Sequence, residues 1–295
     1  MDKESTGARE HMKHCVIDAS HHVDANPFQK RGTDIYRCKD CGCIMADVAF
    51  DAAQYESDNY YTLIHKTVDN IDREWGFRWH HILNRIQSCG HPASLLDVGA
   101  GNGYFVALAG RAFRMQASGI ELSEQEIRFA RDKVGVELIR QRVEEHEQVY
   151  DAVTCFNVIE HVPDPRSFLA SVVARIKPGG LLALTTPNPG CIHARIHGIE
   201  QWGMVDPPHH INLFSRASLA DMLRQEALQP IRYETLSTYI NFVRNVDTRH
   251  LLLRRLFFQL LRLGNLGADH FFIARKPDAG AAIGVPAHEA GDSSV

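Results

Sequence analysis

The chain of 295 residues contains no apolar run approaching the roughly 20 residues needed to cross a bilayer. Its start, MDKESTGAREHMK, lacks the apolar centre of a secretory signal, so the expected address is cytoplasmic. Strong charge of one sign is missing too: the formal net charge is -4 and the pI is near 6.5. A protein that grips nucleic acid through its phosphates normally presents a basic face, so no nucleic-acid partner is expected. Cysteine is scarce, with seven in the chain. An odd number without a signal peptide reads as thiols or metal ligands before disulfides. Internal repeats are absent. What remains, 44% hydrophobic, 23% charged and 8% aromatic residues, is the composition of an ordinary globular protein. The length suits one large α/β domain with accessory elements or two modest domains.

Composition divides the chain into a Cys- and His-containing module at 1–58, a main domain at 59–276 and a small, polar, aperiodic tail at 277–295. The tail is expected to be disordered, having too little apolar surface to offset its ordering entropy. In the main domain, short β-rich runs alternate with segments of helical period. The runs fall at 94–100, 117–122, 150–156, 180–187, 230–237 and 269–277. Helices are expected over Tyr104 to Phe113, Ser123 to Val134, Arg166 to Ile176 and Ser215 to Glu226, with Ser123 and Ser215 as N-caps. Lys177 to Gly180 reads as a turn into the next strand. The pattern implies an α/β fold, a Rossmann-like, doubly wound and mostly parallel sheet behind the small N-terminal module. A further helix is expected at Arg249 to Leu263, either packed on the domain or lying against a membrane surface or partner.

The sharpest local signal is LLDVGAGNG, Leu95 to Gly103, where an apolar strand meets a helix. Glycines at Gly99, Gly101 and Gly103 strip the turn of side chains and let a ligand lie on the backbone. Tyr104 stands where a dinucleotide fingerprint needs its third glycine, which argues against a nicotinamide site. Eighteen residues past Gly103, the run ASGIEL brings in Glu121, whose two oxygens suit a ribose diol.

Asp97, Gly99, Gly101 and Gly103, followed by Glu121, YDAVTCFNVIEHVPDP and KPGG, resemble class I S-adenosylmethionine-dependent methyltransferases. Within that class the chain resembles the ubiquinone-biosynthesis O-methyltransferase group, through Val143 to His146 and Tyr150 to Pro165. The resemblance spans about 75 to 276 and is specific for the cofactor rather than the acceptor. It implies a methyltransferase acting on a small molecule, most readily at oxygen, with nitrogen, carbon or a non-catalytic binding role as alternatives. By the same resemblance, Asp97, Gly99, Gly101, Gly103, Glu121, Leu122, Val143 and Phe156 would border S-adenosylmethionine, and Arg78 would face its carboxylate.

A hydroxyl acceptor often has to lose a proton on methylation, a task suited to neutral histidine. His161, just after a strand end, and His210, in HINLF, are the candidate bases; loop anchoring is the competing role for each. Tyr60, Tyr61 and Trp202 are candidates for a lid or for core packing.

In the N-terminal segment, YRCKDCG sets Cys38 and Cys41 in a zinc-knuckle spacing, with Cys15 and Asp18 about twenty residues upstream. The segment resembles the zinc module of some sugar C-methyltransferases, with Asp18 where a fourth cysteine would stand. A Cys3Asp set, a Cys3His set drawing on His21 or His22, and a module without metal are all compatible with the spacing. The sequence leaves the oligomeric state open.

Overall fold

The computed structural model describes residues 14–49, 67–237, 260–262 and 264–280. Tyr60, Tyr61, most of the expected 249–263 helix and most of the tail lie outside them.

Among the described residues, seven strands form the central sheet in the order β10-β11-β8-β7-β4-β5-β6. They are β4 (Ser94–Val98), β5 (Gln116–Glu121), β6 (Ile139–Arg140), β7 (Tyr150–Phe156), β8 (Ile176–Pro187), β10 (Gln229–Leu236) and β11 (Asp269–Arg275). β4 pairs in parallel with β5 and β7, and β8 in parallel with β7, while β11 runs antiparallel between β8 and β10. The sheet is thus mostly parallel, as the alternating pattern required. β6 has only two residues and left no readable run. The KPGG segment belongs to β8 rather than to a separate turn before it.

Successive strand residues point to opposite faces, and the two faces have separate cores. Leu95, Ala152, Leu181, Ala183, Phe271 and Ile273 pack against α2 (Phe77–Gly90) and α3 (Tyr104–Phe113), which follow the short helix α1 (Val68–Ile71) and a π turn at Asp72–Gly76. Leu96, Val153, Cys155, Leu182, Leu184 and Phe272 pack on the other face, against α5 (Pro165–Ala174) and α7 (Arg216–Gln225). Between these lie α4 (Glu124–Phe129) and α6 (Ile192–His197). Both serine caps form: Ser123 Oγ accepts from Glu126 N at 3.3 Å and Ser215 Oγ from Ser218 N at 3.0 Å.

The N-terminal segment forms β1 (Phe28–Lys30), β2 (Thr33–Arg37) and β3 (Ile44–Ala46), and β3 pairs with β9 (Asn212–Leu213) of the main chain. Arg31 and Gly32 both have positive φ, the two-residue turn that matches strand twist. Cys15, Ile17, Tyr36, Cys38 and Met45 share one core with β7 and α5, so the segment is built onto the sheet's face. Trp202 is buried beneath this small sheet with Ile35 and Ile44.

Candidate active site

The chain leaves β4 for β5 on one side and later returns to β7 on the other, opening a crevice at the carboxyl ends of β4 and β7. A cavity of about 420 Å³ lies there. Its floor is Asp97 to Asn102, and Glu121, Leu122, Gln141 to Glu144, Phe156 to Val158 and His161 border it.

Gly99 and Gly101 have φ of +71° and +52°. At Gly99 a Cβ would stand 2.5 Å from Val158 Cγ2, whereas at Gly101 it would meet nothing within 4 Å and would project into open space. Gly101 therefore forms a bare cradle. Gly103 does not border the cavity; a Cβ there would lie 2.8 Å from Ala130 Cβ, so it allows α3 to pack closely.

Glu121 is buried and engages three backbone amides. Gly101 N donates to Oε2 at 2.8 Å, and Leu122 N and Ser123 N donate to Oε1 at 2.7 and 2.9 Å. The carboxylate thus ties the glycine turn to the end of β5. Asp97 accepts from Thr154 Oγ1 at 2.6 Å, and burial pushes its carboxyl up to about 7, with the nearby Glu121 charge adding to the rise.

That rise fixes a sign. Asp97 ionises near 3.8 when unfolded and is pushed up to about 7 when folded, so its own contribution to ligand-free stability is fully present below about pH 4 and is lost as pH climbs to 7. Asp97→Asn should flatten this decline and raise ligand-free stability at pH 8 by a few kcal/mol, on the order of 1.4 kcal/mol per pKa unit. Urea unfolding of both proteins at pH 5 and pH 8 measures it; an unchanged slope would remove the argument.

An aromatic wall, of which the sequence reading assigned only Phe156, closes one side of the cavity. Trp79 lies 5.3 Å from both Phe105 and Phe156, which meet edge to face at 4.9 Å, and Trp75 stacks on Trp79 at 6.0 Å. The signal was an aromatic pair four residues apart on one helical stretch. Arg78 stands apart from this lining: its Nη1 donates to Asp269 Oδ2 at 2.6 Å, and its guanidinium lies 5.7 Å from both tryptophan rings.

His161 and His210 come together, their rings 4.9 Å apart. His161 Nδ1 donates to His209 O at 2.8 Å and His210 Nδ1 to Met204 O at 2.8 Å. A carbonyl only accepts, so in the neutral rings each Nδ1 carries the hydrogen. Burial holds His161 down to about 4 and lowers His210 as well. Beside them is Glu160, fully buried, with Oε2 accepting from Thr186 Oγ1 at 2.9 Å. The sequence reading passed over Glu160, because a charged residue beside a strand end looks solvated until the loop folds inward.

In the N-terminal segment, ligand atoms of Cys15, His21, Cys38 and Cys41 lie within 4.8 Å of one another. Asp18 does not join them; its Oδ1 turns back to accept from Ser20 N and Oγ at 2.8 and 2.7 Å. His21 takes the position expected of Asp18, and His22 pairs with Asp40 instead. Cys15 Sγ and Cys41 Sγ are 3.6 Å apart, close to the edge of about 3.8 Å implied by tetrahedral zinc–thiolate bonds of about 2.3 Å. Ser215 Oγ, the cap of α7, also donates to Cys41 O at 2.6 Å and fastens this cluster to the main domain.

A glycine cradle under a carboxylate-bound turn, at the switch point of a mostly parallel sheet, defines a nucleoside-cofactor protein. A methyltransferase-domain family model matches residues 71–231, and the chain belongs to the S-adenosylmethionine-dependent methyltransferases. A ubiquinone biosynthesis O-methyltransferase of Xanthomonas axonopodis pv. citri is 33% identical over 166 residues, covering 52% of this chain and 68% of that protein. A protein of the same name from Aliivibrio fischeri is 31% identical over 177 residues, covering 54% and 75%. Among solved structures, magnesium protoporphyrin IX methyltransferase from Synechocystis with bound SAH shares the fold. Its TM-score is 0.51 at 12% identity, over 76% of this chain and 97% of that one. A chain from the complex of the Haloferax volcanii Trm112 methyltransferase activator with a methyltransferase gives 0.53 at 15%, over 78% and 99%. Among the described residues no helix is long and apolar enough to cross a membrane.

Proposed function

We propose that this methyltransferase acts on an oxygen of a small metabolite. The observation that carries the reading is the histidine pair, rings 4.9 Å apart, whose member His161 lines the cavity built on Gly99 and Gly101. The cradle fits the cofactor, because Gly101 leaves room for a ligand directly on the backbone. Gly99 and Gly101 would border its methionine part, Glu121 its ribose, and Leu122 and Val143 its base. When bound, S-adenosylmethionine supplies an electrophilic methyl group. The protein's own part is placement of acceptor and donor and removal of the acceptor's proton at the histidine pair. Arg78, held by Asp269, braces the tryptophan wall instead of reaching the cavity floor. The two relatives named as O-methyltransferases favour oxygen over nitrogen or carbon.

Incubation with phenols, hydroxy acids, amines and carbon acids, with S-adenosylhomocysteine read by mass spectrometry, tests the reading. Product with hydroxylated acceptors supports it. Cofactor binding without product across the panel would favour a non-catalytic binding protein.

The same reading assigns a structural zinc ion to Cys15, His21, Cys38 and Cys41, a closed set with no position left for catalysis. Elemental analysis should find about one zinc per chain, and Cys38→Ser should lose it with a fall in melting temperature of roughly 10 °C. Wild-type protein without zinc would end that assignment.

A further inference from the structure

A second cavity, of about 310 Å³, opens where the N-terminal segment meets the main domain. It shares no lining residue with the cavity on the glycine turn, and its volume falls at the lower end of the roughly 300–1,000 Å³ usual for small-ligand sites. Arg37 of β2, Arg195 of α6 and Arg216 of α7 all line it. No aspartate or glutamate does, and among the described residues none of these three arginines pairs with a carboxylate. Arg31, Arg78, Arg85 and Arg224 each have such a partner. Three positive charges thus face one cavity without a counter-charge, in a chain whose formal net charge is -4. Their mutual repulsion is relieved by an anion.

Two of the guanidinium groups are held in place by partners that carry no charge. Arg195 Nε donates to Gly190 O at 2.9 Å, Gly190 N to Asn188 Oδ1 at 2.8 Å, and Asn188 Nδ2 to Gly267 O at 2.8 Å. Both Nη groups of Arg195 stay without an acceptor among the described residues. The Arg216 guanidinium lies 4.2 Å from the centre of the Tyr233 ring, a contact that takes up no acceptor oxygen. Tyr233 is itself fixed. Burial holds His270 down to about 4, so its ring is neutral; Nε2 donates to Phe214 O at 3.1 Å, and Nδ1 accepts from the Tyr233 hydroxyl at 2.9 Å. Arg37 directly precedes Cys38, whose backbone N donates to Cys43 O at 2.8 Å and whose O accepts from Gly42 N at 3.1 Å, so the cysteine knuckle sets this wall.

We propose that this cavity binds the phosphoryl group of a small phosphate monoester. Such a group carries about -1.5 to -2 charge at pH 7 and three terminal oxygens, so separate guanidinium groups can each donate to it. A carboxylate offers one charge and two oxygens. The positive end of α7, a ten-residue helix that starts in the cavity wall, adds to the attraction. All three arginines are exposed, so the ligand enters from solvent, with its ester group against Ile44, Pro189 and Ile199. The site lies outside the methyl-transfer chemistry and gives the N-terminal segment a task, which is to supply the third cation and one wall.

Isothermal calorimetry of the full chain with phenyl phosphate should show one site per chain, at least threefold tighter than inorganic phosphate because the ring adds apolar contact. Arg195→Ala and Arg216→Ala should each weaken phenyl phosphate at least tenfold. Arg224→Ala removes an exposed arginine outside this cavity and should leave the affinity within twofold. S-adenosylhomocysteine should also leave it within twofold, since the two cavities have no residue in common. On wild-type protein, phenyl phosphate should slow phenylglyoxal modification of Arg195 and Arg216 at least fivefold, read by peptide mass spectrometry, with Arg224 unprotected.

Absence of binding and of protection overturns the site. Equal protection of Arg195, Arg216 and Arg224, or an equal loss of affinity in Arg224→Ala, means diffuse charge attraction and overturns it as well. Displacement of phenyl phosphate by S-adenosylhomocysteine puts the ligand in the other cavity and has the same consequence. Equal affinity for inorganic phosphate and phenyl phosphate overturns the monoester as the ligand. Protection is read on wild-type protein, so the site stays testable even if a variant fails to fold.

Discussion

Gly101→Leu should yield a folded protein whose affinity for S-adenosylmethionine is at least about 100-fold lower, a loss of about 2.7 kcal/mol of binding. A Cβ at this position would meet no protein atom within 4 Å, so the side chain would start into open space that the cofactor needs. Positive φ adds its own cost, about 1–2 kcal/mol of stability for a residue with a Cβ. Gly32→Leu separates the two effects, because Gly32 also has positive φ, at +77°, but sits in the β1–β2 turn with open space around it. It should lose stability and leave binding intact. Isothermal calorimetry and thermal melts of both variants decide; unchanged binding in Gly101→Leu would mean that the cofactor does not rest on this turn.

Glu121→Gln should cost both stability and binding. Three amides converge on the carboxylate, and a carboxamide must turn its NH2 toward either Gly101 N or the Leu122 and Ser123 amides. A buried donor then faces a donor, which costs about 1–3 kcal/mol. The glycine turn loses its tether as well, so cofactor affinity should drop by about 10-fold or more, through lost preorganisation in addition to any lost ribose contact. Glu121→Asp is the informative partner. It keeps the charge and shortens the reach, so it should recover part of the binding only if charge matters more than the three-way tether. Wild-type stability and affinity in Glu121→Gln would show that these amides have other partners.

The helices and strands around the cofactor were legible because their signals are local. Ser123 and Ser215 cap helices through amides three residues away, and the apolar runs of β4, β7 and β8 read clearly because strands covered on both faces are hydrophobic throughout. The turn Asp97 to Gly103 and the placement of Glu121 were legible for the same reason: one strand, one turn and one neighbouring strand contain them. β6 escaped notice because two exposed residues carry no periodicity. The small N-terminal sheet escaped it because its stability comes from β9, which lies more than 160 residues away.

Sequence alone determined the class of this protein: six of the seven central strands in chain order, the bare turn, the acid at the end of β5 and the three cysteines. Tertiary structure decided which side chains complete each site. His21 displaces Asp18 because the loop after Cys15 curls and lets the aspartate cap Ser20 instead of facing the sulfurs. Arg78 turns to Asp269, 191 positions away, and not to the cavity. Glu160 meets His210 only because the segments after β7 and before β9 are cross-linked by Ile211 N to Glu160 O at 2.9 Å and Asn212 Nδ2 to Val162 O at 2.8 Å. The physical reason is one of range. Backbone conformation and capping are set by neighbours in the chain, whereas the partner of a buried charge is whichever group the packed chain delivers within hydrogen-bonding distance.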